Sequence, residues 1–199
     1  MPIDDQPQGG PMRLLPALEV LAALRHDEIV VTTMGAAREW PKLSQHPLDL
    51  HYLPSAMGQA PLVGLGLALA RPIREVIVLN GDGCMLMNLG CLVTIAAARA
   101  ANLTLIVLEN GIYEVTGGQT TAAAGGAGID FAAVARAAGI ASTFMFDDLS
   151  AWQSGAATVL RSPGPRFVCL RVAPVGADYQ LPTMPPMTER LTAFRAALG

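Results

Sequence analysis

Charge is scarce in this 199-residue chain. Asp, Glu, Lys and Arg make up only 15% of it, and 16 acidic residues outnumber 13 basic ones for a net charge of −3. Nucleic-acid-binding domains carry a basic excess, which is missing here. Aromatic residues, which stack on single-stranded bases, are only 5% of the chain. No nucleic acid is expected as a partner. The three cysteines, Cys84, Cys91 and Cys169, show no CxxC spacing, which argues against a thiolate metal site or a disulfide framework. His26, His46 and His51 have no HxxxH spacing and suit surface or capping roles. No apolar run reaches the roughly 20 residues that cross a bilayer. The best candidate, 61–70, is closed at once by Arg71 and Arg74, and the segments 92–101 and 103–108 are split by Arg99 and Asn102. The polar start, with Asp4 and Asp5, resembles neither a signal nor a transit peptide, so a cytoplasmic location and no membrane contact are expected. Neither GxxxxGK[ST] nor GxGxxG occurs, which counts against a nucleotide-binding protein of either type.

What the chain has is apolar content: 52% of residues, with a mean hydropathy of +0.41. That is enough for a sizeable core, and the excess suggests a large subunit interface as well. The length suits a flexible leader over 1–11 and a single domain over 12–199. Apolar spacing predicts a helix over 12–26, a strand over 28–33, a short extended piece near 50–53 and a helix over 60–70. Two continuous apolar runs, 75–79 and 103–108, read as strands buried on both faces, with a helix over 84–101 between them as a βαβ crossover. The Gly/Ala/Thr-rich stretch 116–128 has no periodicity and reads as a mobile loop. Asp130 is placed to cap a helix through 138 that Gly139 stops, and Asp147-Asp148 to cap one over 149–160. Segments 142–146 and 166–172 extend the alternation, a last helix lies near 187–198, and Arg136, Arg161 and Arg190 read as solvated. The fold class is α/β: an open, mostly parallel sheet sandwiched by helices.

Ligands of such sheets bind outside the carboxyl ends of the strands. Gly81-Asp82-Gly83 follows one apolar strand and Asn110-Gly111 follows the next, so one crossover brings both to the same rim. Glycines allow a tight turn and a close-approaching ligand. The amides of Gly83 and Cys84, opening a helix, suit a phosphate anion. Asp82 and Asn110 offer hard oxygen ligands of the kind Mg²⁺ takes when it completes its octahedron with phosphate oxygens and water. Each motif alone is equally what a simple turn requires. The paired spacing is what favours a Mg²⁺-diphosphate.

Gly81-Asp82-Gly83 with Asn110 resembles the diphosphate–metal motif of thiamine diphosphate (ThDP) enzymes, in which a GDG is followed by an Asn just under thirty residues later. GDGCMLMNLGCLVTIA (81–96), LENGIYEVTGGQTT (108–121) and SAMGQAPLVGLGLALARP (55–72) are similar to segments of the phosphonopyruvate decarboxylases and sulfopyruvate decarboxylase β subunits. The resemblance spans roughly 29–140. It implies a ThDP diphosphate-binding domain in which Asp82, Asn110 and the carbonyl of Ile112 ligate Mg²⁺, while Gly81, Gly83 and Cys84 lie against the diphosphate. Met57 would prop the cofactor into its bent shape, with Gly58 near the pyrimidine. Tyr113 would adjoin the cofactor, and Glu114 and Gln119 would project towards the substrate as catalytic candidates. Two departures stand out. The stretch TTMGAAREW (32–40) resembles the family's diphosphate-side loop, but Ala36 and Ala37 in it fall where hydroxyl residues are common, and Gln59 stands where His is often found.

The resemblance also implies something missing. In this family the Glu that activates the pyrimidine ring belongs to a separate pyrimidine-binding domain, for which 199 residues leave no room. The expectation is therefore a β subunit of a hetero-oligomeric 2-oxoacid decarboxylase, a ThDP-dependent carboxy-lyase whose pyrimidine-binding α subunit supplies that Glu. Its substrate would be a small 2-oxoacid. A distal phosphonate or sulfonate would need cationic groups, and none lies within 111–130. The alternatives are another ThDP enzyme subunit, carboligase or 2-oxoacid oxidoreductase, and a non-catalytic subunit binding Mg²⁺-diphosphate or nucleotide.

Overall fold

The computed structural model describes residues 11–124, 128–176 and 183–199. The expected leader, apart from Pro11, and residues 125–127 of the expected 116–128 loop lie outside the described residues. In chain order the elements are α1 (Leu14–Leu24), β1 (Ile29–Thr32), α2 (Met34–Glu39), a 3₁₀ turn (Trp40–Lys42), β2 (Asp49–His51), α3 (Ala60–Ala70), β3 (Val76–Gly81), α4 (Asp82–Leu86) and α5 (Cys91–Ala98). There follow β4 (Leu103–Glu109), β5 (Ile112–Tyr113), a 3₁₀ turn (Glu114–Thr116), β6 (Gln119–Thr120), α6 (Phe131–Ala137), β7 (Ser142–Phe146), α7 (Leu149–Arg161), β8 (Arg166–Arg171) and α8 (Met187–Leu198).

The central strands are buried at nearly every position and mostly apolar, with Asn80 and Thr104 as buried polar exceptions, because both of their faces are covered. Side chains alternate across the sheet. Ile29, Val31, Val76, Val78, Leu105 and Val107 face a core layer completed by α3, α5, α6 and Phe194 of α8. Val30, Ile77, Leu79, Ile106 and Leu108 face the opposite layer, built from α1, α2 and α7. Each large side chain so buried contributes about 2 kcal/mol. Trp152 of α7 is fully buried in the second layer and satisfies its ring N–H by donating to the Ala17 carbonyl at 2.9 Å. Asp130 and Asp148 cap α6 and α7 by accepting the amides of Ala133 and Ala151, each at 2.9 Å.

Six strands form one sheet in the order β2-β1-β3-β4-β8-β7, with every pair parallel. This order has a consequence for the site. The chain leaves β1 towards β2 on one side, and leaves β3 towards β4 on the other. Adjacent β1 and β3 therefore form a switch point, where the segments following their carboxyl ends diverge and leave a crevice. The start of α2 and the start of α4 are the two lips of that crevice.

Three expectations need correction. The helix expected over 84–101 is two helices, α4 and α5, separated at 87–90. Asn and Gly are weak formers of helix interiors, and Asn88 turns its side-chain amide away to donate to the Gly58 carbonyl at 3.1 Å. The 116–128 stretch is not featureless, because Gln119–Thr120 pairs antiparallel with Ile112–Tyr113 as a small hairpin. Arg190 is not a solvated side chain, since its guanidinium donates to the carbonyls of His51 and Leu53 and so holds α8 against the β2 edge.

Candidate functional site

A cleft with about 670 Å³ of unfilled space, its mouth included, opens at the switch point. One wall is the start of α2 at Met34, Gly35 and Ala36. The floor is 81–84 at the end of β3, and the far wall is Asn110 with the hairpin residues 112–116. Met57 projects from the loop before α3 and is nearly half exposed.

Asp82 is almost fully buried at the first position of α4. Its Oδ2 accepts the Gly111 amide at 3.0 Å and the Thr121 hydroxyl at 2.9 Å. Burial pushes its carboxyl above the ordinary carboxylate range, an effect opposed by bonds from Thr121, Gly83 and Gly111 and reinforced by the nearby Glu109 carboxylate. Gly111 adopts φ +75°, a backbone state a side chain would resist, and this turns its amide towards Asp82. The neighbouring Asn110 accepts the Ile112 amide on Oδ1 at 3.0 Å, which orients its side-chain oxygen within the cleft wall. Residues 29 apart in sequence are thus joined by a direct hydrogen bond.

Gly83 lacks a side chain for a visible reason. A Cβ there would lie 2.6 Å from two ring carbons of Tyr113, whose ring lies against the floor of the cleft. Cys84 is buried beside it, and burial pushes its thiol up. Gly58 sits behind the cleft rather than in its lining, with its carbonyl held by Asn88. Glu114 does line the cleft, but its Oε1 accepts the Val175 amide at 2.5 Å and so ties the hairpin to the segment after β8. Gln119 is not brought to the cleft: it is exposed, and its amide folds back onto Thr116 in bonds of 3.0 and 3.1 Å. Ala36 and Ala37 are buried in helix α2, and Gln59 is exposed at the start of α3.

Several residues of the site have roles that the motifs around them do not announce. Met34 holds φ +45°, which is rare for a residue with a side chain and occurs here at the cleft wall. Thr121 bonds Asp82 from outside the lining, and Asn88 braces the Met57-Gly58 loop. Thr121 and Asn88 lie inside the segments 108–121 and 81–96, but no periodicity there points to the bonds they make.

The ligands that the resemblance implies are all oxygen: the Asp82 carboxylate, the Asn110 side-chain amide and the carbonyl of Ile112, and all three residues line the cleft. Among the described residues no three His, Cys, Asp or Glu side chains converge to hold a metal ion. A cation here would need further oxygens from a ligand, which is how Mg²⁺ is held with a diphosphate. Among the described residues no helix is long and apolar enough to cross a membrane.

Comparison with known proteins identifies the family. Residues 29–169 match the family described as thiamine pyrophosphate enzyme, C-terminal TPP binding domain. The chain is 39% identical over 170 residues to a phosphonopyruvate decarboxylase of Streptomyces viridochromogenes, covering 84% of this chain and 41% of the relative. It is 40% identical over 163 residues to the sulfopyruvate decarboxylase subunit beta of Methanothermobacter thermautotrophicus, covering 81% of this chain and 83% of the relative. The chain thus spans about two fifths of the Streptomyces protein but most of the archaeal subunit. A thiamin diphosphate-dependent enzyme from Mycobacterium smegmatis has a similar fold, with a TM-score of 0.68 at 22% identity over 82% of this chain and 32% of that one. With the GDG floor, the Asn110 wall and a family match across most of its length, the chain belongs to the thiamine pyrophosphate enzymes, as a carrier of their C-terminal TPP-binding domain.

Proposed function

We propose that this chain, as one domain over 12–199, is the cofactor-holding β subunit of a cytoplasmic two-subunit 2-oxoacid decarboxylase of the phosphonopyruvate or sulfopyruvate type. The observation that carries the reading is the hydrogen bond between Asp82 and Gly111 at the switch point, which sets the carboxylate beside Asn110. Asp82, Asn110 and the Ile112 carbonyl would hold Mg²⁺, and the Gly83 and Cys84 amides would receive the diphosphate. Met57 would support the bent cofactor. When bound, ThDP supplies the electron sink for loss of CO₂. Tyr113 covers the cofactor floor. Glu114, once released from Val175, would hold a proton near the substrate, and Gln119 would likewise first have to release Thr116.

A missing partner is supported by the acids of the site. Among the described residues lining the cleft, the carboxylates are Asp82 and Glu114. Asp82 would be taken up by the metal and Glu114 Oε1 by Val175, so the Glu that activates the pyrimidine would come from outside this domain, on this reading from a partner chain. Exposed Met57, Met87 and Val115 around the cleft are apolar surface such a chain would cover. The archaeal relative, which this chain covers over most of its length, is itself named a subunit beta. An anionic substrate tail would also draw on the partner. In the adjoining cleft, Arg38 and Lys42 are both bonded to the buried Glu39 at 2.7 Å.

Native mass spectrometry of the protein isolated gently with Mg²⁺ tests this. A second, different chain with bound ThDP is the expected result. Efficient decarboxylation of a 2-oxoacid by the purified chain alone would refute the two-subunit reading. Asp82→Ala should abolish Mg²⁺-dependent ThDP binding.

A further inference from the structure

We infer that Thr121 is the positioning residue for Asp82, fixing which carboxylate oxygen meets the cation; the inference rests on the metal–cofactor site proposed above. Thr121 is buried and lies outside the cleft lining, so it acts through Asp82 rather than on a ligand. Its hydroxyl has one proton. The Ala123 amide donates to Oγ1 at 3.2 Å, which occupies a lone pair and leaves that proton to be directed at Asp82 Oδ2, 2.9 Å away. The backbone closes the same ring. The Thr121 amide donates to the Gly111 carbonyl at 2.8 Å, and the Gly111 amide donates to Asp82 Oδ2 at 3.0 Å.

Both donors converge on Oδ2. Oδ2 spends its lone pairs on these two donors, so Oδ1, even with the Gly83 amide also bonded to the carboxylate, is the oxygen with capacity left for a cation in the cleft. A one-oxygen carboxylate suits Mg²⁺, which demands near-ideal octahedral geometry, whereas Ca²⁺ readily takes two oxygens of one carboxylate. Thr121 thereby serves metal choice as well as metal affinity. The closure also docks the 112–120 hairpin onto the GDG floor, so the end of the hairpin and the metal ligand are held by one side chain.

Calorimetric titration of ThDP into the full chain, with its partner where one copurifies, tests this at stepped Mg²⁺ and then at stepped Ca²⁺. Thr121→Val keeps the shape and deletes the hydroxyl, while Thr121→Ser keeps the hydroxyl. Thr121→Val should raise the Mg²⁺ needed for half-maximal ThDP binding by about tenfold or more, the scale of loss for a residue that orients a metal ligand. It should raise the Ca²⁺ requirement less, and Thr121→Ser should restore the wild-type Mg²⁺ requirement. A wild-type Mg²⁺ requirement in Thr121→Val, with binding lost in Asp82→Ala, overturns the role of Thr121 and leaves the site standing. Equal losses for Mg²⁺ and Ca²⁺, or a Thr121→Ser as impaired as Thr121→Val, also overturn it, because they mark loop packing alone. Binding that survives Asp82→Ala, or wild-type binding indifferent to Mg²⁺, overturns the site reading and this inference together.

Discussion

Replacing Asp82 by Asn should make the metal-free protein more stable while destroying its metal site. The buried carboxylate receives bonds from Thr121, Gly83 and Gly111, yet its pKa still lies above the ordinary value, so the penalty of burying the charge outweighs those bonds. Asn presents an acceptor oxygen of the same shape to Gly111 and Thr121. Exchanging charge-assisted for neutral bonds loses about 1 kcal/mol for each, and relief of the buried charge returns more than that. The expected net gain is about 1 kcal/mol at neutral pH, or about 2–4 °C in Tm for a chain of this size. The pH dependence follows from the direction of the shift. Protonated Asp82 stabilises the metal-free fold fully below the unfolded value near 3.8, and that stability is lost as pH rises through the raised folded value. The advantage of Asp82→Asn is therefore absent in acid and opens as pH climbs. Thermal and urea unfolding in EDTA, at neutral and acid pH, measure it. The reasoning is refuted if Asp82→Asn is less stable than the wild type at neutral pH without metal.

Gly83→Ala places a methyl group 2.6 Å from the Tyr113 ring, so the ring must leave the cleft floor; ThDP affinity should fall by about tenfold or more in calorimetry, with the circular dichroism spectrum unchanged. Asn102→Ala removes the side-chain donor to the carbonyls of Ala68, Arg71 and Arg74, at 3.0, 3.0 and 2.8 Å, and should cost about 2 kcal/mol in urea unfolding. Burial pushes the Cys91 thiol up to about 11 and raises Cys84 and Cys169 as well, with the Glu109 carboxylate adding to the effect at Cys169. At pH 8 none of the three should react with a disulfide reagent in the folded protein, and all three should react once it is unfolded.

Much of the fold was legible along the chain. The helix over 60–70 and the last helix over 187–198 coincide with α3 and α8, and the capping roles of Asp130 and Asp148 are observed. These features depend on local spacing and on one side chain meeting an amide three residues on. The break at 87–90 was not legible, because its cause is a bond from Asn88 to a carbonyl 30 residues earlier. The role of Arg190 was hidden for the same reason, as its acceptors lie 137 and 139 residues away. At the site, the GDG and the Asn were visible because consecutive βα turns carry them. Thr121 was not, since its partner Asp82 is 39 residues away and nothing periodic links the two.

The sequence by itself determined most of the strands and helices, though not α2, the α4–α5 break or the β5–β6 hairpin, together with the burial of the central strands on both faces and the residue types at the ends of β3 and β4. Only the tertiary structure decided the order β2-β1-β3-β4-β8-β7, and with it the crevice between β1 and β3 that makes residues 34–36 a wall of the cleft. The reason lies in what an apolar pattern encodes. It specifies that a strand must be covered, but any two such strands could pair. Which ones do is set by how helices from distant parts of the chain pack over both faces at once.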